Sequence, residues 1–451
     1  MTLGSTVDFR PLRSATKARI ALGSLALLNA SVRESTLHHI LEHVDPHIFI
    51  CASSLFAGKV LLPLFSIPKQ LPGVIRPAQI GDLVFSLTVP ISSEGGHNSF
   101  QNNVPDPATS GKELPTFKFE LEKSEGRVLG DSYGKEATVE QLPISKGIAG
   151  VSMRMEPGVM RELHWHATAA EWAFVTEGWV RTTVIDPQGC CETNDFYPGD
   201  VWYFPRGHGH VIETLGDKPC HFILVFDNGY FSEFGTFSIT DWLGHAPKAL
   251  LAKNFGVPAS TFDSFPKKEV YFAKGKIPPP VAAPPLQGWK LPPLTHKYSL
   301  LSQKPFETFS GGLEWRVDGS QFPISTTMTG VVLEMEAGAL REFHWHPNAA
   351  EWQYILSGEF SVTLFGSQGR WREEKLNAGD VGYIPQGFGH SIENIGSDKA
   401  RILIVFNNGH YQTIDLSQWI AGNPTDVLAT NFGQDAAVFE KFPRKDVFLT
   451  K

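Results

Sequence analysis

The chain has 451 residues, enough for two or three domains. Its 42% apolar and 19% charged residues are ordinary for a globular protein, and argue against a disordered chain. A net charge of −8 at pH 7 gives no support to nucleic acid or an anionic membrane surface as a partner.

The first 115 residues share no pattern with the rest of the chain and are left as an unassigned extension and linker. Arg10, Arg13, Lys17 and Arg19 precede a short apolar run at 20–28 that has the look of a signal-peptide core, but no small-residue cleavage site comes after it. A second apolar stretch, 48–68, is interrupted by Lys59 and Pro63, so stable membrane insertion is not expected. Residues 92–112 are rich in Gly, Ser, Asn and Pro and read as a linker. Cys51, Cys190, Cys191 and Cys220 form neither a metal pattern nor a disulfide framework. Cytoplasmic and secreted placements both stay open.

From about residue 116 the chain repeats itself. Residues 142–155 reappear as 322–335, and the copies run over 116–274 and 297–451. The connector between them, 275–296, carries seven prolines and reads as stiff and extended. Within each copy, short β-rich runs such as 171–174, 179–185, 201–204 and 221–226 are punctuated by Gly and Pro. That spacing predicts an antiparallel sandwich or barrel, so the expected fold class is all-β. Near the end of each copy, Ser238 to Trp242 and Asp415 to Trp419 open helical segments with capping residues.

Each copy holds one constellation with chemistry in it. Arg161-Glu162-Leu163-His164-Trp165-His166 precedes Glu171-Trp172, and Arg341-Glu342-Phe343-His344-Trp345-His346 precedes Glu351-Trp352. Later, Gly199-Asp200 leads to His210, and Gly379-Asp380 leads to His390. Residues i and i+2 of a strand share a face, so His164 and His166 point into one space, and His344 and His346 into another. The glutamate lies five residues further on, an odd spacing that requires a bend, which 167–170 and Pro347-Asn348 can supply. Three imidazoles and one carboxylate per copy suit a divalent first-row metal. Zinc would favour four-coordinate closure, whereas manganese or iron would leave positions open. The metal set is therefore His164, His166, Glu171 and His210, with His344, His346, Glu351 and His390. Strict alternation puts Arg161 and Arg341 on the opposite face from the ligands unless a bulge intervenes. It also turns Trp165 and Trp345 away from the metals, toward packing. Trp202, replaced by Gly382 in the second copy, reads as packing special to the first site.

Gly158-x5-His164-x-His166-x4-Glu171-x6-Gly178 and Gly199-x5-Pro205-x-Gly207-x2-His210 resemble the two cupin motifs. The second copy repeats both, ending in Asn394 where the first has Thr214. Each copy thus resembles a cupin jelly-roll barrel. Arg-Glu-x-His-Trp-His, Ala-Glu-Trp, Leu-Pro-Ile-Ser-Lys-Gly-Ile-Ala-Gly and Thr-Asp-Trp-Leu resemble the bicupin oxalate decarboxylases more closely. That resemblance implies two Mn(2+) per chain, oxalate as substrate, dioxygen as co-catalyst, and a homo-oligomer, a trimer or hexamer. It also places Arg161, and by analogy Arg341, inside the pocket as substrate-binding groups.

The copies differ in one place that matters. They are 180 residues apart at Phe226 and Phe406, but 177 apart at Trp242 and Trp419, so the first has three extra residues near Ser232-Glu233-Phe234. An insertion carrying an acid beside the last barrel strand suits a lid. The resemblance implies that this segment is mobile and that its glutamate, Glu233, handles the proton. Phe234 and Gly235 depart from the familiar version of that lid. The family's second barrel can also carry a glutamate where this chain has Ile404, so the first copy is expected to be the main catalytic site. The expected catalytic pair is Glu233 and Arg161, and the expected reaction is radical decarboxylation of oxalate to formate and carbon dioxide. The alternatives are an oxalate oxidase releasing hydrogen peroxide and a non-enzymatic bicupin of the storage-globulin type.

Overall fold

The computed structural model describes residues 113–279 and 290–451. The signal-like run, the second apolar stretch and the polar linker at 92–112 lie outside these residues, as does the middle of the proline-rich connector. Among the described residues no helix is long and apolar enough to cross a membrane. Cys190, Cys191 and Cys220 are free thiols.

Each repeat folds as two antiparallel sheets closed face to face, the antiparallel barrel expected from the strand spacing and the jelly-roll implied by the cupin resemblance. In the first barrel, Glu171–Glu177 lies between Asp200–Phe204 and Cys220–Phe226, followed by Ala149–Met155 and Ser132–Ala137. The opposing sheet is built on Val159–Trp165, Gly209–Leu215 and Trp179–Ile185. The second barrel repeats the plan, with Glu351–Ser357 and Leu340–Trp345 in the corresponding places. The short helix Ile239–His245 starts where expected, with the Ser238 hydroxyl accepting from the Asp241 amide. Leu416–Ala421 starts after Asp415, whose carboxylate makes no cap; that group is used elsewhere.

The barrels exchange their leading strands. Lys118–Phe119 adds to the second barrel beside Val381–Ile384, and Lys297–Ser299 adds to the first beside Asp200–Phe204. The repeat boundaries in sequence and the sheet memberships in space therefore do not coincide. The interface also explains the Trp that comes directly after each metal glutamate. A Cβ on Gly330 would lie 2.1 Å from the Trp172 ring, and a Cβ on Gly150 would lie 2.1 Å from the Trp352 ring. Each barrel thus seats its tryptophan over a glycine of the other, and both indoles are fully buried.

A polar clasp joins the barrels at Glu122. Its carboxylate accepts from Ser152 and Tyr133 of the first barrel and from Tyr354 of the second, the last at 3.0 Å. His221 lies 3.6 Å from it. Burial alone would raise this carboxyl, but the hydrogen bonds and charge of these neighbours outweigh it and hold the group at about 2. A carboxyl depressed from its unfolded value of 4.5 adds stability that is fully present above about pH 4.5 and lost as pH falls through about 2. Glu122→Gln is expected to cost about 2 kcal/mol near neutral pH, allowing for partial exposure. Chemical denaturation of the two proteins from pH 7 down to pH 2 should show the gap closing at the acid end. A pH-independent gap would remove the charge from the explanation.

Candidate metal centres

In both barrels the four expected side chains converge. His164, His166, Glu171 and His210 place one donor atom each within 4.8 Å of the others, as do His344, His346, Glu351 and His390, and all eight residues are buried. Backbone carbonyls fix several of the rings. His164 Nδ1 donates to the Glu162 carbonyl at 2.5 Å and His210 Nδ1 to the His208 carbonyl at 2.9 Å. His344 and His390 make the same contacts, at 2.6 and 3.0 Å. A proton held on Nδ1 leaves the Nε2 lone pair facing inward.

The donor set fits a cation. His210 Nε2 and His346 Nε2 are buried with no hydrogen-bond partner. They lie 3.3 and 3.0 Å from the Glu171 and Glu351 carboxylates, and an imidazole lone pair against a carboxylate is repulsive unless a positive charge sits between them. Burial, then the charges of Arg161 and the neighbouring rings, holds His164 well below its ordinary value, and His344 behaves alike beside Arg341. Burial alone would raise Glu171, but the facing imidazoles outweigh it and keep this carboxyl well below the usual range. Neutral imidazoles and an ionised carboxylate are the states a metal requires.

The free oxygen of each carboxylate is oriented by a different residue. In the first barrel Trp202 Nε1 donates to Glu171 Oε1 at 2.7 Å. In the second, Gln353 Nε2 donates to Glu351 Oε1 at the same 2.7 Å. Gly382 makes the second arrangement fit, because a Cβ there would lie 2.6 Å from Gln353 Oε1. The Trp202 difference noted in sequence is thus half of a paired exchange, Trp202 and Ala173 against Gly382 and Gln353.

Strict alternation does not hold for the arginines. His210 pairs with His164 and Ile212 with Arg161, so two steps on one strand face three on the other. The same irregularity separates Arg341 from His344. This bulge turns Arg161 and Arg341 back to the ligand side, and both are buried. The residue it displaces, Glu162, is used as an anchor. Its carboxylate accepts from the Val270 and Tyr271 amides at 2.8 and 2.7 Å and so holds the end of the domain against the barrel. Trp165 and Trp345 point outward as parity requires, against Trp242 and Trp419 at 5.6 and 5.4 Å.

The insertion forms a 3-10 turn, Glu233–Gly235, with Ser232 capping it. Glu233 points inward, is 3% exposed, and lies 3.3 Å from Arg161 Nη2. Phe234, by contrast, is 74% exposed, so the turn keeps its acid inside while its phenylalanine faces out. Glu136 holds the turn down by accepting from the Glu233 amide at 2.9 Å and from the Ser232 hydroxyl at 3.2 Å. Arg161 and Arg127 both lie over the Tyr271 ring, at 4.2 and 3.7 Å from its centroid. Arg161 Nε is buried without a partner, a donor left available in the pocket. The second barrel treats its arginine differently. Arg341 Nη2 donates to Asp415 Oδ1 at 2.8 Å and to Thr413 Oγ1 at 3.1 Å, so a fixed carboxylate answers its charge. Ser238 occupies the position of Asp415 in the first barrel.

Comparison with known proteins places this architecture. The Cupin family matches residues 130–262 and 298–438, more than half of the chain, and the protein is a two-barrel cupin. Oxalate decarboxylase OxdC of Bacillus subtilis (strain 168) is 39% identical over 357 residues, covering 79% of this chain and 91% of the relative. A probable oxalate decarboxylase of Arthroderma benhamiae is 31% identical, covering 76% and 85%. The structure of oxalate decarboxylase from Bacillus subtilis at pH 4.6 superposes with a TM-score of 0.70 at 37% identity, covering 76% of this chain and 90% of that one. Another structure of that enzyme was used to study its Mn(II) centres, with the same TM-score of 0.70. The chain belongs to the bicupin oxalate decarboxylase family.

Proposed function

We propose that this protein converts oxalate to formate and carbon dioxide, with one manganese ion in each barrel and the main chemistry in the first. The observation that carries the reading is the buried Arg161–Glu233 pair over the first His/Glu set. No lid carboxylate takes that place in the second barrel, where Thr413 faces Arg341 instead. Manganese, together with dioxygen, would supply the one-electron chemistry that a simple loss of carbon dioxide from oxalate cannot manage.

The chain's own residues account for the rest. Hydrogen oxalate is an anion, and Arg161, with its unpaired Nε, binds and orients it beside the metal donors. The substrate displaces Glu233 from Arg161, which frees the carboxylate to take the proton of the substrate's carboxyl group. The carbon–carbon bond breaks, carbon dioxide leaves, and Glu233 returns the proton to the remaining carbon to give formate. Atoms balance, with no net oxidation. The closed turn held by Glu136 excludes water during these steps. The reading includes a homo-oligomer, supported by the exposed Trp242 and Trp419 on the outer faces, and sedimentation would test it.

The deciding experiment is an oxalate assay on manganese-loaded protein, with formate and peroxide measured together. Formate in near-stoichiometric yield supports the decarboxylase; peroxide in its place would make the protein an oxidase. Metal analysis should find about two manganese per chain, because each barrel has a full donor set. His164→Ala and His344→Ala should each lose about half. A wild-type chain that holds no metal after reconstitution would overturn the reading.

A further inference from the structure

The second barrel carries a carboxylate that has no counterpart in the first and was not singled out in sequence. Glu314 lies on the strand Gly312–Val317, is 1% exposed, and lines the second pocket together with Arg341, His344, His346 and Glu351. Ile404 and Tyr411 complete the wall of that pocket. At the matching place in the first barrel stands Gly134, and a Cβ there would lie 2.1 Å from the Tyr271 hydroxyl. Tyr271 is in turn matched by Phe448 in the second barrel, and Phe231 by Tyr411. The two pockets therefore hold the same three functional groups delivered from different positions. In the first, Arg161 is joined by Glu233 from the turn and Tyr271 from the domain's end. In the second, Arg341 is joined by Glu314 from a strand and Tyr411 from the loop that lacks the insertion.

We propose that the second pocket is a carboxylate-binding site in its own right, in which Glu314 donates a hydrogen bond to a small carboxylate, no larger than oxalate, held beside the second metal set. The proposal rests on the reading of two metal centres but not on where decarboxylation occurs.

A carboxyl this deeply buried must be paired or protonated. Its pairing is weak, a single contact to Arg316 Nη1 at 3.3 Å. Burial pushes the group up, with Arg316 and then Arg341 opposing. A second negative charge entering the pocket would favour the protonated form further, giving the anion a donor. Arg341 cannot act alone as the clamp, because Asp415 already answers its charge. Within the metal set itself, a divalent cation and Glu351 would leave about one unit of positive charge, and Arg316 adds to it once Glu314 is protonated, so a small anion is favoured. A strand-borne acid also differs from one on a turn in being fixed, so Glu314 is held in place before the ligand arrives.

The test uses the full manganese-loaded chain with Arg161→Ala and Glu233→Ala, which disable the first pocket and leave its metal donors intact. Formate and oxalate are titrated by calorimetry and by the Mn(II) electron paramagnetic resonance signal. One equivalent of carboxylate should bind and perturb one centre, and His344→Ala should remove that perturbation. Adding Glu314→Leu should weaken binding at least tenfold, the loss expected for a buried hydrogen bond to a charged group. Glu314→Gln, which keeps a donor, should stay within about threefold. The proposal is overturned if the parent holds two manganese ions yet binds no carboxylate. Binding that survives His344→Ala, or that is unchanged by Glu314→Leu, overturns it equally. Failure of the wild type to make formate from oxalate would sink the decarboxylase reading while leaving these titrations untouched.

Discussion

Glu233→Ala is expected to lower formate production by about 10² to 10⁴-fold, the range for losing a positioned acid–base group. The variant should keep both metals, since Glu233 is not among either group of converging donors. It should also stay folded, because its neighbours lose one contact to Arg161 while the turn itself is held by Ser232 and Glu136. What little turnover remains should shift toward peroxide, because an oxidase need not return a proton to carbon. Thr413→Ala, at the matching place in the second barrel, should leave formate output nearly unchanged. Formate and peroxide measured side by side on the three proteins would decide the matter. A Glu233→Ala variant making formate at the normal rate would show that the proton carrier is another acid. Glu136, next along the same wall, would be the first to examine.

The metal donors were legible in sequence because each depends on local spacing: His-x-His on one strand, a glutamate after a bend, a histidine after a Gly turn. Duplication made the pattern unmistakable, and the insertion stood out as a break in register. Arg161 was not legible by alternation, because a bulge is a property of two paired strands and leaves no mark on either alone. The other misses share that cause. Trp202 with Ala173, and Gly134 with Tyr271, are compensations between residues far apart in the chain. The signal such pairs leave in a sequence is a small residue in one copy at the position of a large one in the other, at two places at once. Glu136 and Glu314 belong to no motif in the sequence, and only the closing of the barrel places one against the turn and the other inside a pocket. The exchange of leading strands between barrels had no sequence signal at all.

Arg161→Ala is expected to reduce kcat/KM for oxalate by about 10² to 10³-fold, comparable to removing a key anion-stabilising donor from an enclosed site. Two effects are combined in that number and can be separated. The substrate loses its clamp, and Glu233 loses the cation 3.3 Å away, leaving a buried carboxylate unpaired. The second effect should lower the melting temperature or drive the turn open, and Glu233→Gln added to Arg161→Ala should restore stability by removing the stranded charge. It should not restore turnover. Arg161→Lys keeps a charge but loses the planar fork and the packing over Tyr271, so it should fall between Ala and wild type. Both centres should stay loaded in every variant, since no arginine is a metal donor. If Arg161→Ala lost stability but kept wild-type kcat/KM, the bulge that turns this side chain inward would serve only to support Glu233, Tyr271 and Glu269, whose carboxylate lies 3.8 Å from Arg161 Nη2. The substrate's charge would then have to be met by the cation alone.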